Sequence, residues 1–362
     1  MNPKLLKQKI LETFLNGEWE RVKLGDVLKI KSGQNLTSKN MGSDGNIPVY
    51  GGNGITGYHD EANIDKPTIV IGRVGFYCGS IHITEQNAWV TDNAFITSYD
   101  ENVIFTKWFY YLLIHLDLRQ YSNSTAQPVI SGRTIFPISI PLPPLTVQRQ
   151  IVSQIETLFS EIDRIEQSRQ NLLQAVKMAR QKTLKVFLTG DWEMVKLGDV
   201  CDYGKCKTVK NANIPDDAWI LDLEDIEKDT GKLLQRTLKT EKNTTSVRHS
   251  FKKGDVLYSK LRTYLNKVLI ADVDGFCTTE IIPIDFKGKI IPEFARFVLM
   301  SPMFLEYTEQ CGYGVKMPRL GTNDAKKADF PLPPLTVQRQ IVSKIEAIFG
   351  EINQIENAVI PK

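Results

Sequence analysis

Two stretches of the chain contain no acidic residue and gather side chains suited to contacting phosphates and base edges. Leu118–Ile155 carries Arg119, Arg133 and Arg149 and includes the polar loop Tyr121–Gln127. Leu257–Ile270 carries Lys260, Arg262 and Lys267 interleaved with Tyr258 and Tyr264, and Lys316 and Arg319 add to it further on. Arg, Lys, Asn, Gln, Ser and Thr are the donors that reach phosphate oxygens and base edges. Each stretch is therefore a candidate polyanion contact, and taken alone equally an ordinary surface. With 45 Lys and Arg against 42 Asp and Glu, the formal net charge is +3, so any such footprint is local.

Other chemistry is poorly represented. Gly52, Gly54 and Gly57 spell G-x-G-x-x-G after a strand-like run, Ile47–Tyr50. A dinucleotide site needs a helix to begin there, whereas Tyr58-His-Asp-Glu and then Pro67 follow without helical period; glycine-rich turns are the better reading. The chain has no Walker-type loop, no H-E-x-x-H, no G-x-S-x-G and no Asn-Pro-Pro-aromatic tetrad of an amino-methyltransferase. Cys78, Cys201, Cys206, Cys277 and Cys311 form neither a disulfide framework nor a zinc-ligand spacing, and the four histidines are isolated. No metal is expected.

The elements that position these residues repeat. Gln8–Val27 recurs as Gln181–Val200, 173 residues on, with 14 of 20 positions identical, and Pro141–Ser153 recurs unchanged as Pro331–Ser343, 190 residues on. The two offsets together come within one residue of the 362-residue length, as in a cyclic two-fold repeat cut open within one connector. The termini are then expected side by side.

Between the repeats identity is low, but a register survives. At an offset of 187, Val70–Arg73 faces Leu257–Lys260 and Trp89–Asn93 faces Phe276–Glu280; at 190, Pro128–Ser131 faces Pro318–Gly321. One fold used twice, with diverged surfaces, is the expectation. Each variable region reads as mixed α/β, with strands at Thr68–Ile71, Ala94–Thr97, Val256–Tyr258, Val268–Ala271 and Ile281–Ile284. Each also carries one apolar helix, Thr106–Leu118 or Pro292–Thr308.

The connectors read as long helices. After Pro143-Pro144, with Thr146 as N-cap, apolar residues fall at Ile151, Ile155, Leu158, Ile162, Ile165, Leu172, Val176 and Ala179, a seam of period 3.5 ending before Gly190. The C-terminal copy repeats it from Ile341 to Val359. An antiparallel coiled coil of the central helix with the two terminal ones is expected, roughly 60 Å long.

Near-identical helical repeats flanking two dissimilar domains, with Ile140–Gln148 and its copy Pro331–Gln338, and openings Trp19–Val27 and Trp192–Val200, resemble the specificity subunit of Type I restriction–modification systems. Weaker matches are Ile71–Arg73 with Trp89–Asp92, and Asp255–Arg262 with Thr278–Glu280. The resemblance spans essentially the whole chain. It implies two α/β target recognition domains (23–142 and 191–332) set on helices (1–22, 143–190 and 333–362) that form the antiparallel coiled coil.

It further implies a non-catalytic, DNA-binding subunit; a cytoplasmic location is expected separately, because no apolar run approaches the ~18 residues of a membrane span and the N-terminal residues lack a signal-peptide pattern. Each domain would read one half of a bipartite site in double-stranded DNA. The helices would fix the gap and dock two modification subunits, which bring S-adenosylmethionine and methylate adenine. A restriction subunit using ATP and Mg could join. No cofactor is expected in this chain, and no membrane contact. Candidate DNA-binding residues are Arg73, Thr91, Asp92, Asn93, Gln127, Ser131 and Arg133 in the first domain. In the second they are Lys260, Arg262, Tyr264, Lys267, Thr279, Lys316 and Arg319. Two other readings stay open at this level: an adaptor whose domains bind two proteins, and an enzyme such as a nuclease.

Overall fold

The computed structural model describes residues 2–37, 41, 45–123, 127–242, 245–312 and 317–359. Lys316 lies outside the described residues. The chain divides into two compact units, Met1–Ser168 and Arg169–Lys362.

The first unit opens with α1 (Pro3–Leu15), capped where the Asn2 side chain accepts a hydrogen bond from the Lys4 N–H at 2.9 Å. There follow β1 (Arg21–Lys23), α2 (Leu24–Val27), β2 (Lys29–Ser32), β3 (Ile47–Gly51), β4 (Gly54–His59), β5 (Ile69–Gly72), β6 (Ile81–Ile83), β7 (Trp89–Val90), β8 (Ala94–Ser98), α3 (Thr106–His115), α4 (Gly132–Ile135), β9 (Ser139–Pro141) and α5 (Leu145–Leu188). An antiparallel sheet runs β2-β8-β5-β6, and a second sheet runs β4-β3-β7 with β3 and β7 parallel. The G-x-G-x-x-G string forms the β3–β4 hairpin, with Gly54 at φ +82° at its turn. α3 buries Trp108, Phe109, Leu112 and Leu113, so Trp108 and Phe109 are core, with Tyr110 and Tyr111 partly buried against it.

α5 continues into the second unit. Then come β10 (Met194–Lys196), α6 (Leu197–Val200), β11 (Thr208–Val209), β12 (Trp219–Leu221), β13 (Thr237–Leu238), β14 (Arg248–Phe251), β15 (Val256–Ser259), β16 (Val268–Ile270), β17 (Gly275–Thr278), β18 (Ile281–Ile284), α7 (Pro292–Leu299), α8 (Pro302–Cys311), α9 (Thr322–Lys327), β19 (Asp329–Pro331) and α10 (Leu335–Val359). The expected single helix Pro292–Thr308 is two. Pro302 has no N–H to donate and clashes with a continuing turn, while the Ser301 hydroxyl accepts from the Phe304 N–H to start α8 afresh.

The repeat extends to individual hydrogen bonds. β1 pairs with β9 and β10 with β19 in the same register, Arg21↔Pro141 and Met194↔Pro331. β5 pairs with β6 and β8 as β15 does with β16 and β18, every partner displaced by 187. The parallel pair Val49↔Trp89 matches Ile220↔Phe276.

The helix pairs match too. In the first unit Leu11 and Leu15 share a core with Ile151 and Ile155, and Lys7 reaches Asp163 at 2.7 Å, so α1 and α5 run antiparallel. In the second, Leu184 and Leu188 share a core with Ile341 and Ile345, and Arg180 reaches Glu356 at 2.6 Å. Lys7 lies over the Phe159 ring as Arg180 lies over Phe349.

The seam departs from the apolar series. Ile151, Ile155, Ile162 and Val176 are buried, but Leu158, Ile165 and Leu172 are 39%, 64% and 38% exposed, and Ala179 is exposed. Past residue 169 the inward face runs through Val176, Arg180, Leu184 and Leu188, with the arginine satisfied by Asn353 and Glu356. Thr146 lies within the first turn of α5, which begins at Leu145 directly after Pro144. Among the described residues no helix is long and apolar enough to cross a membrane.

Candidate nucleic-acid interface

In the first unit the β5–β6 connection, Arg73–Ser80, is held from two sides. The Arg73 N–H donates to the Asn93 carbonyl at 2.9 Å, its carbonyl accepts from Ile130 N–H at 3.0 Å, and Gly75 N–H donates to the Pro128 carbonyl at 2.9 Å. These bonds bring Arg73, Asp92, Asn93, Gln127 and Ser131 into one region. The Arg73 guanidinium lies over the Phe95 ring, half-buried, with Nη1 at 3.4 Å from both Ser32 Oγ and the Asp92 carbonyl. Asn93, Gln127 and Arg133 are exposed. Ser131 sits at the N-cap of α4, its N–H donating to Thr134 Oγ1 at 3.2 Å. Thr91 does not join the surface: it is 2% exposed, and its hydroxyl has no hydrogen-bond partner among the described residues.

The second unit repeats the frame. Lys260 N–H donates to the Glu280 carbonyl at 3.0 Å, Leu320 N–H to the Lys260 carbonyl at 2.9 Å, and Arg262 N–H to the Pro318 carbonyl at 2.7 Å. Lys260 and Thr279 are half-buried, and Arg262 and Tyr264 exposed. Two of the candidate cations are turned to the protein itself. Lys267 donates to the Leu223 carbonyl at 2.6 Å, and burial pulls its pKa below the usual lysine value. Arg319 grips the Glu280 carboxylate at 3.1 and 3.2 Å.

The two faces therefore differ in charge. Arg73, Arg119 and Arg133 have no carboxylate partner among the described residues; of the second unit's described candidate cations, Arg319 is paired with Glu280 and Lys267 is turned to a backbone carbonyl, which leaves Lys260 and Arg262. Among the described residues no group of three or more His, Cys, Asp or Glu side chains converges.

Two features of the site stand outside the sequence-derived candidates. Phe76 and Tyr77, on the β5–β6 connection, are 70% and 49% exposed, and the Arg119 guanidinium lies 4.8 Å from the Phe76 ring centre. The 187 offset that pairs Arg73 with Lys260 also pairs Tyr77 with Tyr264, which is 48% exposed. The second feature is Gln148 and its copy Gln338, both fully buried. Gln148 Oε1 accepts from Phe105 N–H at 2.7 Å, and Nε2 donates to the Val103 and Pro143 carbonyls, each at 2.8 Å. Gln338 does the same with Ile291, Lys289 and Pro333. Each amide ties a long helix to the start of its unit's apolar helix, α3 or α7. The signal was an amide at the i−3, i−4 and i−7 positions to Ile151, Val152 and Ile155, hence on a buried face.

The Type I restriction modification DNA specificity domain family matches residues 16–175 and 189–362. The EcoDI type I restriction enzyme specificity subunit of Escherichia coli is 23% identical over 379 residues, covering 94% of this chain and 84% of that one. A solved structure described as underlying complex assembly and conformational transition of the type I R-M system superposes with a TM-score of 0.70 at 17% identity, over 95% and 93% of the two chains. The HsdS subunit from Thermoanaerobacter tengcongensis gives 0.51 at 15% identity, over 95% and 92%. With two matched domains spanning most of its length and the same hydrogen-bonded frame built twice, the chain belongs to the Type I restriction modification DNA specificity domain family.

Proposed function

We propose that the chain is the non-catalytic, sequence-reading subunit of a DNA adenine methylation and restriction complex, working in the cytoplasm. Its two domains, 23–142 and 191–332, each read one half of a bipartite site in double-stranded DNA. The observation that carries this is the pairing of one backbone frame, repeated across offsets of 187 and 190, with two different sets of surface side chains. Repeating the frame supplies two readers; changing the side chains supplies two different half-sites.

Linking two weak readers multiplies affinity without new contacts, provided their spacing matches the site. The 44 residues of α5 make a helix of about 66 Å, and in this reading that length sets the gap between half-sites. The helices also dock two modification subunits, which carry S-adenosylmethionine and transfer its methyl group to adenine. A restriction subunit would contribute ATP- and Mg-dependent chemistry. The chain's own part is binding: arginines and lysines neutralise phosphate, and polar side chains read base edges.

Exchange of domain 191–332 for that of a relative with another specificity tests this. The half of the methylated motif assigned to the second domain should change and the other half stay, while Arg73→Ala or Arg133→Ala should weaken methylation through the first half. A change in both halves on exchanging one domain would overturn the two-reader assignment.

A further inference from the structure

We propose that the tips of the β5–β6 and β15–β16 hairpins, Gly75–Gly79 and Arg262–Asn266, are the elements that enter a groove of the DNA. Tyr77 and Tyr264 are the shared contact residues; Phe76 with Arg119, and Arg262, are particular to each unit. This inference rests on the two-reader function above.

The two tips follow one path. Gly75 and Gly79 have φ of +81° and +85°, and the residues 187 positions on, Arg262 and Asn266, have +51° and +49°. Glycine adopts this left-handed region freely and asparagine tolerates it, whereas an arginine there crowds its Cβ against the backbone. Nothing crowds a Cβ at Gly75, so the position does not demand a particular side chain for packing. The chain nevertheless carries an exposed arginine in a strained conformation at 262, and such strain held by its surroundings is a pointer to a working site.

Both tips are anchored from behind. A Cβ on Gly79 would lie 2.5 Å from the Arg119 backbone nitrogen, so the loop is packed against that segment, and Asn266 Nδ2 donates to the Met300 carbonyl at 3.1 Å. The aromatic rings are thus presented outward by a fixed backbone. A single exposed aromatic is ordinary. Tyrosines at one register position of two otherwise different domains, 49% and 48% exposed, are not scatter. Phe76 is the most exposed of the large hydrophobics among the described residues, and its counterpart Thr263 is buried, which makes the phenylalanine a feature of the first unit alone.

The chemistry fits a groove. Neither Arg73–Ser80 nor Lys260–Lys267 contains an acid. Apolar rings contact thymine methyls or wedge beside base steps, phenol hydroxyls reach phosphate oxygens, and guanidinium groups reach guanine edges or phosphates.

The test uses the chain assembled with its modification subunits and a duplex carrying the motif that the wild-type complex methylates. Phe76→Ala with Tyr77→Ala should weaken binding on the order of tenfold or more and relax sequence preference in the first half only; Tyr264→Ala should do so in the second half. Melting temperatures should hold, because the rings are exposed. Arg262→Gly is the sharper variant: it relieves the left-handed strain, so the fold should be equally or more stable while second-half binding falls.

Tip variants that bind and discriminate as wild type would overturn the inference and leave the two-reader function standing. Variants that lose assembly with the modification subunits, yet bind DNA normally once assembled, would make the tips protein-docking elements and also overturn it. A wild-type complex with no gapped motif would refute the two-reader function and this inference together.

Discussion

Gln148 is the most exacting place to test how the reading domains are fixed to their helices. Its amide satisfies one backbone N–H, Phe105, and two carbonyls, Val103 and Pro143, at 2.7, 2.8 and 2.8 Å in a fully buried position. Truncation to alanine strands all three groups, each at a cost of about 1–3 kcal/mol when buried and unpaired. Each carbonyl has a second lone pair, so a total near the lower half of that range, about 3–5 kcal/mol, is expected. For a unit of this size, at about 2–4 °C per kcal/mol, the melting temperature should fall by roughly 6–20 °C. Calorimetry of Gln148→Ala, with hydrogen exchange at the Phe105 amide, measures both the loss and its location. Gln338→Ala should produce the same loss, with exchange opening at the Ile291 amide instead. A drop below about 2 °C with the Phe105 amide still protected would show that the buried amide does not fix the helix to α3.

Two further predictions concern charge. Arg180→Ala removes a guanidinium whose side chain is 9% exposed and bonded to Asn353 and Glu356, and should cost about 1.5–3 kcal/mol in denaturant unfolding. Its repeat counterpart Lys7→Ala breaks a pair in which Asp163 is 66% exposed and should cost under about 1 kcal/mol. In the second unit Arg248 and Lys242 clasp Asp222 at 2.6 and 2.8 Å. Burial pushes the Asp222 carboxyl up, but the hydrogen bonds from Arg248 and Lys242 outweigh it and hold it below the usual aspartate value. A depressed folded pKa stabilises above the unfolded value, about 4, and the contribution disappears as pH falls through the folded one. Asp222→Asn should therefore be less stable than wild type at pH 7, with a flatter stability profile below about pH 4; parallel profiles would contradict this.

Much of this architecture was legible because the chain is written twice. The offsets of 173, 190 and 187 aligned the two halves from identity and pattern alone, and the strands of the structure pair in that same register. Side-chain direction was not legible there. Lys267 read as a contact because it lies in the acid-free stretch Leu257–Ile270, and Arg319 was grouped with that stretch. Strand pairing brings Glu280 to Arg319 across 39 positions, and Lys267 turns inward to a carbonyl. Thr91 read as a polar contact, but its side chain is buried. The 3.5-residue spacing gave the coiled-coil seam but could not show that its middle, at Ile165, is open. Gln148 passed as part of a motif, since a buried amide is recognisable only when the carbonyls it serves are in place. Tyr77 was available through the same register that paired Arg73 with Lys260.

The central claim is that one chain supplies two independent readers at a fixed separation. A genome-wide map of methylated adenines in the host, with and without this gene, tests it most directly. Two readers at a fixed separation would give a motif of two specified parts separated by an unspecified gap, present with the gene and gone without it. A methylation pattern that does not change on deletion, or one that loses only a single uninterrupted motif, would contradict it.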